Sequence, residues 1–509
     1  MSHFSVNLNR CQVPVYYHRW IALIFSAIAL FVLINYIGLA SSPVIRSDAW
    51  SFLSSLGGKW TSEGFSFSDL FYKRSISDHA QPLNKMLFYI NLKNLGLDFR
   101  YEAFIGFLGV AVFVFIALIF YSFSERSQLG NGSLLSLLGA IAVITSLNST
   151  NIYTWPLVSF GIIYPLLSAI SAVAIFHYIQ NGKPFFLSVP FVAIFLMGDS
   201  RSIVFWVALM ACLVVTAYHF NGCQRKRSLY TAISGSLTLL LFYVLVNFKF
   251  IFQQKVGEAP DALDSPNIVP FIDYFEAIRI VFSSSLIHRK HYADLGNLGY
   301  LFSWIVAFVV LGFYVRFLLL SFIKRERLSM PRMALLFVIM YATVATCAVF
   351  FGRVSEKGVE YLNQPRYVIV YQLIPFALLL DLALSIERPR ASVSRIDVAK
   401  WVAGLVGVAC ICLSVYFSVT AYRVFPWISK HQDYVVKVIG YLSDHPDANV
   451  ASYRRQLGPL SAMDKSERIA VIDLLKKKKL NLFSPKFQWK YRLFPYSYKV
   501  DDRFVLDPN

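Results

Sequence analysis

Apolar residues in this chain come in runs of about twenty separated by short polar stretches, a spacing set by the thickness of a bilayer rather than by a soluble core. The first run, from Arg19 to Ala40 (RWIALIFSAIALFVLINYIGLA), is long enough to cross the hydrocarbon. It is too long for the apolar region of a signal peptide, so it reads as an uncleaved span. Further runs fall at 101–121, 133–148, 155–178, 185–198, 202–219, 229–252, 298–321, 333–351, 366–386 and 401–423, with 185–198 notably short. The expected fold is an all-α polytopic membrane protein with about eleven transmembrane helices occupying residues 1–424.

Polar stretches between the runs carry patterns of their own. In the first loop, 43–100, AWSFLSSLGGKW follows Asp48 and LNKMLFYINLKNLGL follows Pro82. Both place apolar residues near helical spacing beside Trp, Tyr or Lys, which predicts juxtamembrane helices on the outer membrane surface. A third is expected in FIDYFEAIRIVFSSSLIHRKHYADLG, from Phe271 to Gly296, ending in the basic run His288, Arg289, Lys290, His291. From 425 to 509 the chain changes character. It has a polar segment that suits a short helix, SAMDKSERIAVIDLLKKKK, and an aromatic, Pro-punctuated end, FSPKFQWKYRLFPYSYKV. These predict a small C-terminal extramembrane α/β or irregular domain, with Lys476 to Lys479 a solvated helix end.

Composition agrees with the pattern: 57% of the 509 residues are hydrophobic, 15% are charged, and mean hydropathy is +0.55. The net charge of +19 would suggest nucleic acid in a soluble chain, but here much of it sits in short loops, where it sets topology. No nucleic-acid partner is implied; membrane lipids are. With a cytoplasmic N-terminus, the inner loops hold Arg225, Lys226 and Arg227, then Lys324, Arg325, Arg327 and Arg332, then Arg388, Arg390, Arg395 and Lys400. An odd number of spans then places the first loop, 254–297, 352–365 and the tail outside, with a periplasmic C-terminus. The six cysteines fall in spans or on the cytoplasmic side, so no disulfide framework is expected.

No soluble-enzyme signature is present: no Walker loop, no G-x-G-x-x-G opening a helix, no H-E-x-x-H and no Cys pair at zinc spacing. Candidate chemistry lies instead in ionisable residues expected on one side of the membrane. Asp48 follows the first span, and Asp78, His79 and Lys85 close the first loop. Asp199 and Arg201 sit in the turn MGDSRS, while Arg353, Glu356, Lys357 and Arg366 flank 352–365. Ionisable groups beside a bilayer are costly to desolvate and mark functional sites. A carboxylate near several cations suits displacement of a phosphate leaving group by a hydroxyl, the acid taking the proton and the cations holding the departing charge.

An Asp soon after the first span, a long first outer loop and then DHAQPLNKMLFY resemble the GT-C superfamily of membrane glycosyltransferases. There a His-Pro-Pro-Leu or Lys-Pro-Pro-Leu element precedes a juxtamembrane helix. Here His79, Pro82, Leu83 and Lys85 match it loosely, with Ala80 and Gln81 interrupting and the second proline missing. NQPRYVIVYQLIPFALLL, with Arg366, Tyr367 and Pro375, is similar to a late span of such proteins. The resemblance implies a polyprenyl-phosphate-linked sugar as donor and co-substrate, no metal or other cofactor, and transfer on the outer face of a bacterial inner membrane. It implies Asp48 as base or acceptor-positioning carboxylate, with Asp78 and His79 behind it, and Arg366 and Lys85 as donor-phosphate ligands, with Arg201 and Arg353 in reserve. Size, span count and tail look like O-antigen glucosyltransferases acting on lipopolysaccharide, with arabinose transfer to lipid A or protein mannosylation as other members. A flippase and a polyprenyl-phosphate sugar synthase would be pathway partners. Two readings from other classes stand beside this: an O-antigen polymerase or ligase, which shares the span count and outward arginines, and a lipid-linked saccharide transporter, which should show internal repeats and midplane charge.

Overall fold

The computed structural model describes residues 15–46, 48–74, 78–123, 131–148, 150–154, 161–252, 269–323, 329–385, 398–446, 448–450 and 457–485. The aromatic end of the tail from 486 onward lies outside the described residues. So do Cys11, Lys324, Arg325, Arg327, Arg388, Arg390 and Arg395, and the side chains of Asp48 and Lys400.

These residues are predominantly helical, and no strand occurs among them. In order, the helices are α1 (Val15–Ala40), α2 (Asp48–Phe52), α3 (Gly58–Ser62), α4 (Pro82–Ile90), α5 (Arg100–Phe123) and α6 (Asn131–Ile144). Then come α7 (Asn151–Thr154), α8 (Ile163–Asn181), α9 (Ser188–Met197), α10 (Asp199–His219), α11 (Gly222–Phe252) and α12 (Phe271–Ser284). They are followed by α13 (Gly296–Ile323), α14 (Met330–Val349), α15 (Ser355–Lys357), α16 (Pro365–Ser385) and α17 (Val398–Asp444). A helix satisfies its backbone polar groups within itself, which is what a lipid environment demands of a spanning segment. Among the described residues nine helices are long and apolar enough to cross a membrane. The runs expected at 133–148 and 185–198 appear as two shorter apolar helices, Gly132–Ile144 and Pro184–Met197.

Burial sorts these helices. α6 packs against α1, α16 and α17, and nearly all of its described side chains are buried. Its apolar residues therefore run all round the helix instead of forming one stripe. Where it crosses α17, a Cβ on Gly139 would lie 2.6 Å from the Cα of Gly407, so only glycine permits this approach. Ser133 Oγ donates to the Ala383 carbonyl (2.5 Å) and Gln372 Nε2 to the Val143 carbonyl (3.1 Å), tying α6 to α16. α11 is the opposite case. Leu237, Leu240, Leu241 and Leu245 all remain exposed, as expected where lipid is the solvent.

The first loop differs from two helices lying flat on a surface. Both predicted helical stretches form, but Trp50, Trp60 and Phe88 turn inward and are fully buried, Trp60 lying 6.2 Å from Phe88 and 5.5 Å from Tyr89. With Trp60 Nε1 donating to Asp69 Oδ2 (2.8 Å), the loop builds a core of its own. The tail closes over it. Asn481 Nδ2 donates to the carbonyls of Pro43 (2.8 Å) and Leu97 (2.5 Å), and its Oδ1 accepts from the Ile45 N–H (3.3 Å).

α17 is a single helix of 47 residues, about 70 Å long at the α-helical rise, so it outruns any bilayer. Its later part packs on the end of α1, where Gln432 Nε2 donates to the Ala40 carbonyl (2.9 Å), one of the acceptors a helix terminus leaves open. α12 forms where the third interfacial helix is expected, with Phe271, Ile272 and Phe275 exposed and Arg279, Ile280 and Ser284 buried. Asn148, past the end of α6, donates to the Ser284 carbonyl (3.0 Å) and accepts from the His288 N–H (2.8 Å). His288 in turn meets the Asn363 carbonyl (2.7 Å). The first loop, the start of α10, the segment after α12, the start of α16 and the tail thus share one end of the bundle, the first-loop end.

Candidate functional site

Two groups of charges meet at the first-loop end. One is built on the elbow between α9 and α10. Gly198 holds φ +79°, a conformation glycine tolerates, and a Cβ there would lie 2.0 Å from the carbonyl oxygen of Ala80. The close approach lets Asp199, first residue of α10, reach into the first loop. Its Oδ2 accepts from Lys73 Nζ (2.7 Å), and its Oδ1 from the N–H groups of Ala80 (3.1 Å) and Ser200 (2.8 Å). Lys73 Nζ also donates to Asn247 Oδ1 on α11 (2.6 Å), and both charged side chains are buried. The elbow is therefore saturated: each charge is matched and most of the hydrogen-bonding capacity is used.

Around this elbow lie several residues predicted from sequence. His79 is exposed, but the surrounding protein holds its pKa below the ordinary histidine range, desolvation being the largest cause, with Asp199 pulling the other way. The Arg201 guanidinium stacks over Tyr164 at 4.2 Å. Tyr164 donates to Asn84 Oδ1 (2.7 Å), so the ring that supports Arg201 is itself fixed by α4. Asp78 accepts from Arg74 Nε (3.1 Å) and from the N–H groups of Arg74 and His79. Desolvation raises its pKa, and these bonds outweigh it and hold the carboxyl below its usual range.

Lys85 points inward. Its ammonium donates to the carbonyls of Leu70 (3.4 Å) and Tyr72, and burial lowers its pKa to about 8. It lies where it binds the first loop to itself.

The second group lies on the connection between α1 and α2 and on the turn that leads into α16. Arg46, on the connection between α1 and α2, donates from Nη2 to the Thr154 carbonyl. Its Nε is closed to solvent and has no hydrogen-bond partner among the described residues. Arg366, at the start of α16, donates to the Tyr361 hydroxyl (2.5 Å) and lies over the rings of Tyr361 (5.7 Å) and Tyr367 (5.0 Å). Its Nε is likewise buried and unpartnered. Arg353 pairs with Glu356 (3.7 Å) on an exposed turn. Asp48 opens α2, two residues beyond Arg46.

The predicted residues thus divide. Asp48, Arg201 and Arg366 belong to elements that meet at the first-loop end, while Asp78 and Arg353 sit in local ion pairs and Lys85 in backbone contacts. Sequence reading missed Lys73, Asn247 and Arg46. The ion pair spans 126 residues of sequence and leaves no linear signal. Arg46 sits in IRSDAWSF, where a cation two places before a carboxylate is a usable clue. Among the described residues, no three His, Cys, Asp or Glu side chains gather as metal ligands. No family model, curated protein or solved structure matches this chain.

Proposed function

We propose that this chain is a multi-pass membrane glycosyltransferase of the GT-C type, moving a sugar, glucose favoured, from a polyprenyl-phosphate donor to a glycan or lipopolysaccharide O-antigen acceptor. The observation that carries this reading is the surplus of cation at the first-loop end. Arg201 and Arg366 lie on aromatic rings with no carboxylate partner among the described residues, on helices whose starts share the first-loop end with α2, which Asp48 opens. Guanidinium groups held this way present their donor forks to an anion that the protein itself does not supply.

In this reaction the acceptor hydroxyl attacks the anomeric carbon. Asp48 takes the hydroxyl proton, the new C–O bond forms as the bond from the sugar to the phosphate oxygen breaks, and the electron pair leaves with polyprenyl phosphate. The arginines stabilise that developing charge, the role electrostatic preorganisation plays in other transfers. The first-loop end is the periplasmic face of a bacterial inner membrane in this reading, with the N-terminus cytoplasmic. A flippase and a polyprenyl-phosphate sugar synthase would supply the donor.

The test is to incubate purified full-length protein with polyprenyl-phosphoglucose and glycan acceptor and to follow released polyprenyl phosphate. Asp48→Asn should reduce turnover by about 10²–10⁴-fold at unchanged expression and melting temperature. Full turnover in that variant removes Asp48 from the mechanism. Passage of intact donor across a vesicle with no release of polyprenyl phosphate would favour the transporter instead.

A further inference from the structure

The tail carries a row of cations that the described residues leave unanswered. Helix α18 (Lys465–Lys477) buries Val471, Ile472 and Leu475, and its Leu474 sits against Gly57 of the first loop. Lysines near a helix C-terminus ordinarily answer open carbonyls and the helix dipole. Lys476 does this for a neighbouring helix: its ammonium donates to the Ser443 carbonyl and lies 3.6 Å from Asp444, tying α18 to the last turn of α17. Lys477, Lys478 and Lys479 follow, all exposed, and none has a carboxylate partner among the described residues.

The last of the three is also placed at a cost. The Leu480 N–H bonds to the Leu475 carbonyl (2.9 Å) and the Lys479 N–H to the Lys476 carbonyl (3.1 Å), the paired bonds of a Schellman ending. The left-handed position of that ending falls on Lys479, at φ +53°. Glycine adopts this conformation freely, whereas a residue with a Cβ is strained in it. A strained, charged residue where glycine would end the helix more easily points to a use for the side chain itself.

Beside these lysines runs an open trough of about 660 Å³, lined by Ala470, Asp473, Leu474, Lys476 and Lys477. Asp473 brings one negative charge to a surface where three consecutive ammonium groups repel one another. Among the described residues from 457 to 485, no large apolar side chain is exposed. A lipid surface is met by apolar side chains that insert below the head groups, and a protein partner by aromatic anchors. The tail offers neither. It offers point charges on long flexible stems in water, which suit an anionic polymer whose charges recur along its chain. We infer that Lys477, Lys478 and Lys479, with the trough beside them, bind an acidic glycan. The glycan class rests on the transferase reading, in which the acceptor is a saccharide; the polyanion site rests on the tail alone.

In the experiment, purified full chain in nanodiscs of neutral phosphatidylcholine is titrated with dextran sulfate and with uncharged dextran, and is mixed with vesicles containing phosphatidylglycerol. Dextran sulfate should bind with an affinity that falls as salt rises, and uncharged dextran should not bind. Lys477→Gln with Lys478→Gln should weaken binding about tenfold. Arg225→Gln with Lys226→Gln, exposed cations at the start of α11, should leave it unchanged. Lys479→Gly gives the sharper readout: it should weaken binding and raise the melting temperature together, because glycine relieves the left-handed strain. It remains informative if the double lysine variant does not fold. Unchanged binding of dextran sulfate in both lysine variants, or none in the wild type, overturns the site. Capture of the phosphatidylglycerol vesicles in preference to dextran sulfate overturns it too, making the patch a lipid contact. Release of polyprenyl phosphate from polyprenyl-phosphoglucose, followed in parallel, separates the two readings. Binding without release leaves the polyanion site standing and sinks the transferase; release without binding removes the site alone.

Discussion

The elbow around Asp199 and the two arginines Arg46 and Arg366 both withdraw charge from solvent, and they do so in opposite ways. At the elbow, Lys73 and Asp199 meet at 2.7 Å with Asn247 and two backbone N–H groups filling most of the remaining positions. Arg46 and Arg366 are held by a carbonyl, a hydroxyl and aromatic rings, and neither Nε–H has a partner among the described residues. Saturated charge holds elements in place, since any ligand would have to break bonds that already exist. Unsaturated charge is where a ligand gains most. Proximity to the first loop does not separate the two; the completeness of the hydrogen-bond inventory does.

If the elbow is structural, breaking it should give the largest stability loss. Lys73→Met leaves the Asp199 carboxylate buried without its cation and should cost about 3–5 kcal/mol. The double variant Lys73→Met with Asp199→Leu should recover much of that loss, measured as melting temperature in detergent. A single Lys73→Met variant as stable as wild type would put the elbow in the same class as Arg46 and dissolve the contrast.

Lys85 tests the middle ground, a buried cation held by two carbonyl oxygens and the Tyr72 ring, with carboxylates near it but none bonded to it among the described residues. The unfolded chain keeps its proton up to the ordinary value of 10.5, while the folded chain holds it only to about pH 8. Between those values the unfolded state binds more protons, so stability should rise as pH climbs from about 8 to 10.5, by up to about 3 kcal/mol. Below pH 8 the penalty is fully present. The check is the slope of melting temperature against pH in that window, which Lys85→Met should flatten. A slope that persists in the variant assigns the titration to another group.

Smaller still is the tail clamp. Asn481→Ala strands the Leu97 carbonyl and the Ile45 N–H, both at buried positions, leaves the Pro43 carbonyl with the Phe99 N–H alone, and should cost about 1–3 kcal/mol. Proteolysis of the tail is a direct readout. Release of the tail with activity lost would tie the clamp to the geometry of Arg46, one residue past Ile45.

How far the sequence carried this picture follows from the range over which each feature is encoded. Spans were legible because bilayer thickness fixes the length of an apolar run, and even the two short helices, Gly132–Ile144 and Pro184–Met197, fall on predicted runs. The first-loop helices were legible from periodicity, but not the inward turn of Trp50 and Trp60, since an amphipathic pattern looks the same whether its apolar face meets lipid or protein. Candidate charges were legible as residues and illegible as pairs. Nothing near Lys85 in the chain announces the Leu70 and Tyr72 carbonyls, and nothing near Asp199 announces Lys73. A tail residue, Asn481, reaches back 438 positions to Pro43.

Asp78 gives the smallest expected effect and the sharpest use of the contrast. It was a candidate acid on position alone, closing the first loop beside His79. The structure gives it Arg74 at 3.1 Å and two backbone N–H groups, with the arginine side chain about half exposed. Exposed i,i+4 pairs of this kind are worth under about 1 kcal/mol, because solvent screens the attraction and two long side chains lose freedom in forming it. Asp78→Asn keeps the shape and removes the charge, so it should shift the melting temperature little. The bonds that hold the carboxyl ionised also aim it at its own loop, so turnover should change less than tenfold, far short of the loss at Asp48. A loss as deep as that of Asp48→Asn would show that a locally paired carboxylate can still serve as the base. Saturation would then no longer separate structural from functional charge at this end of the bundle.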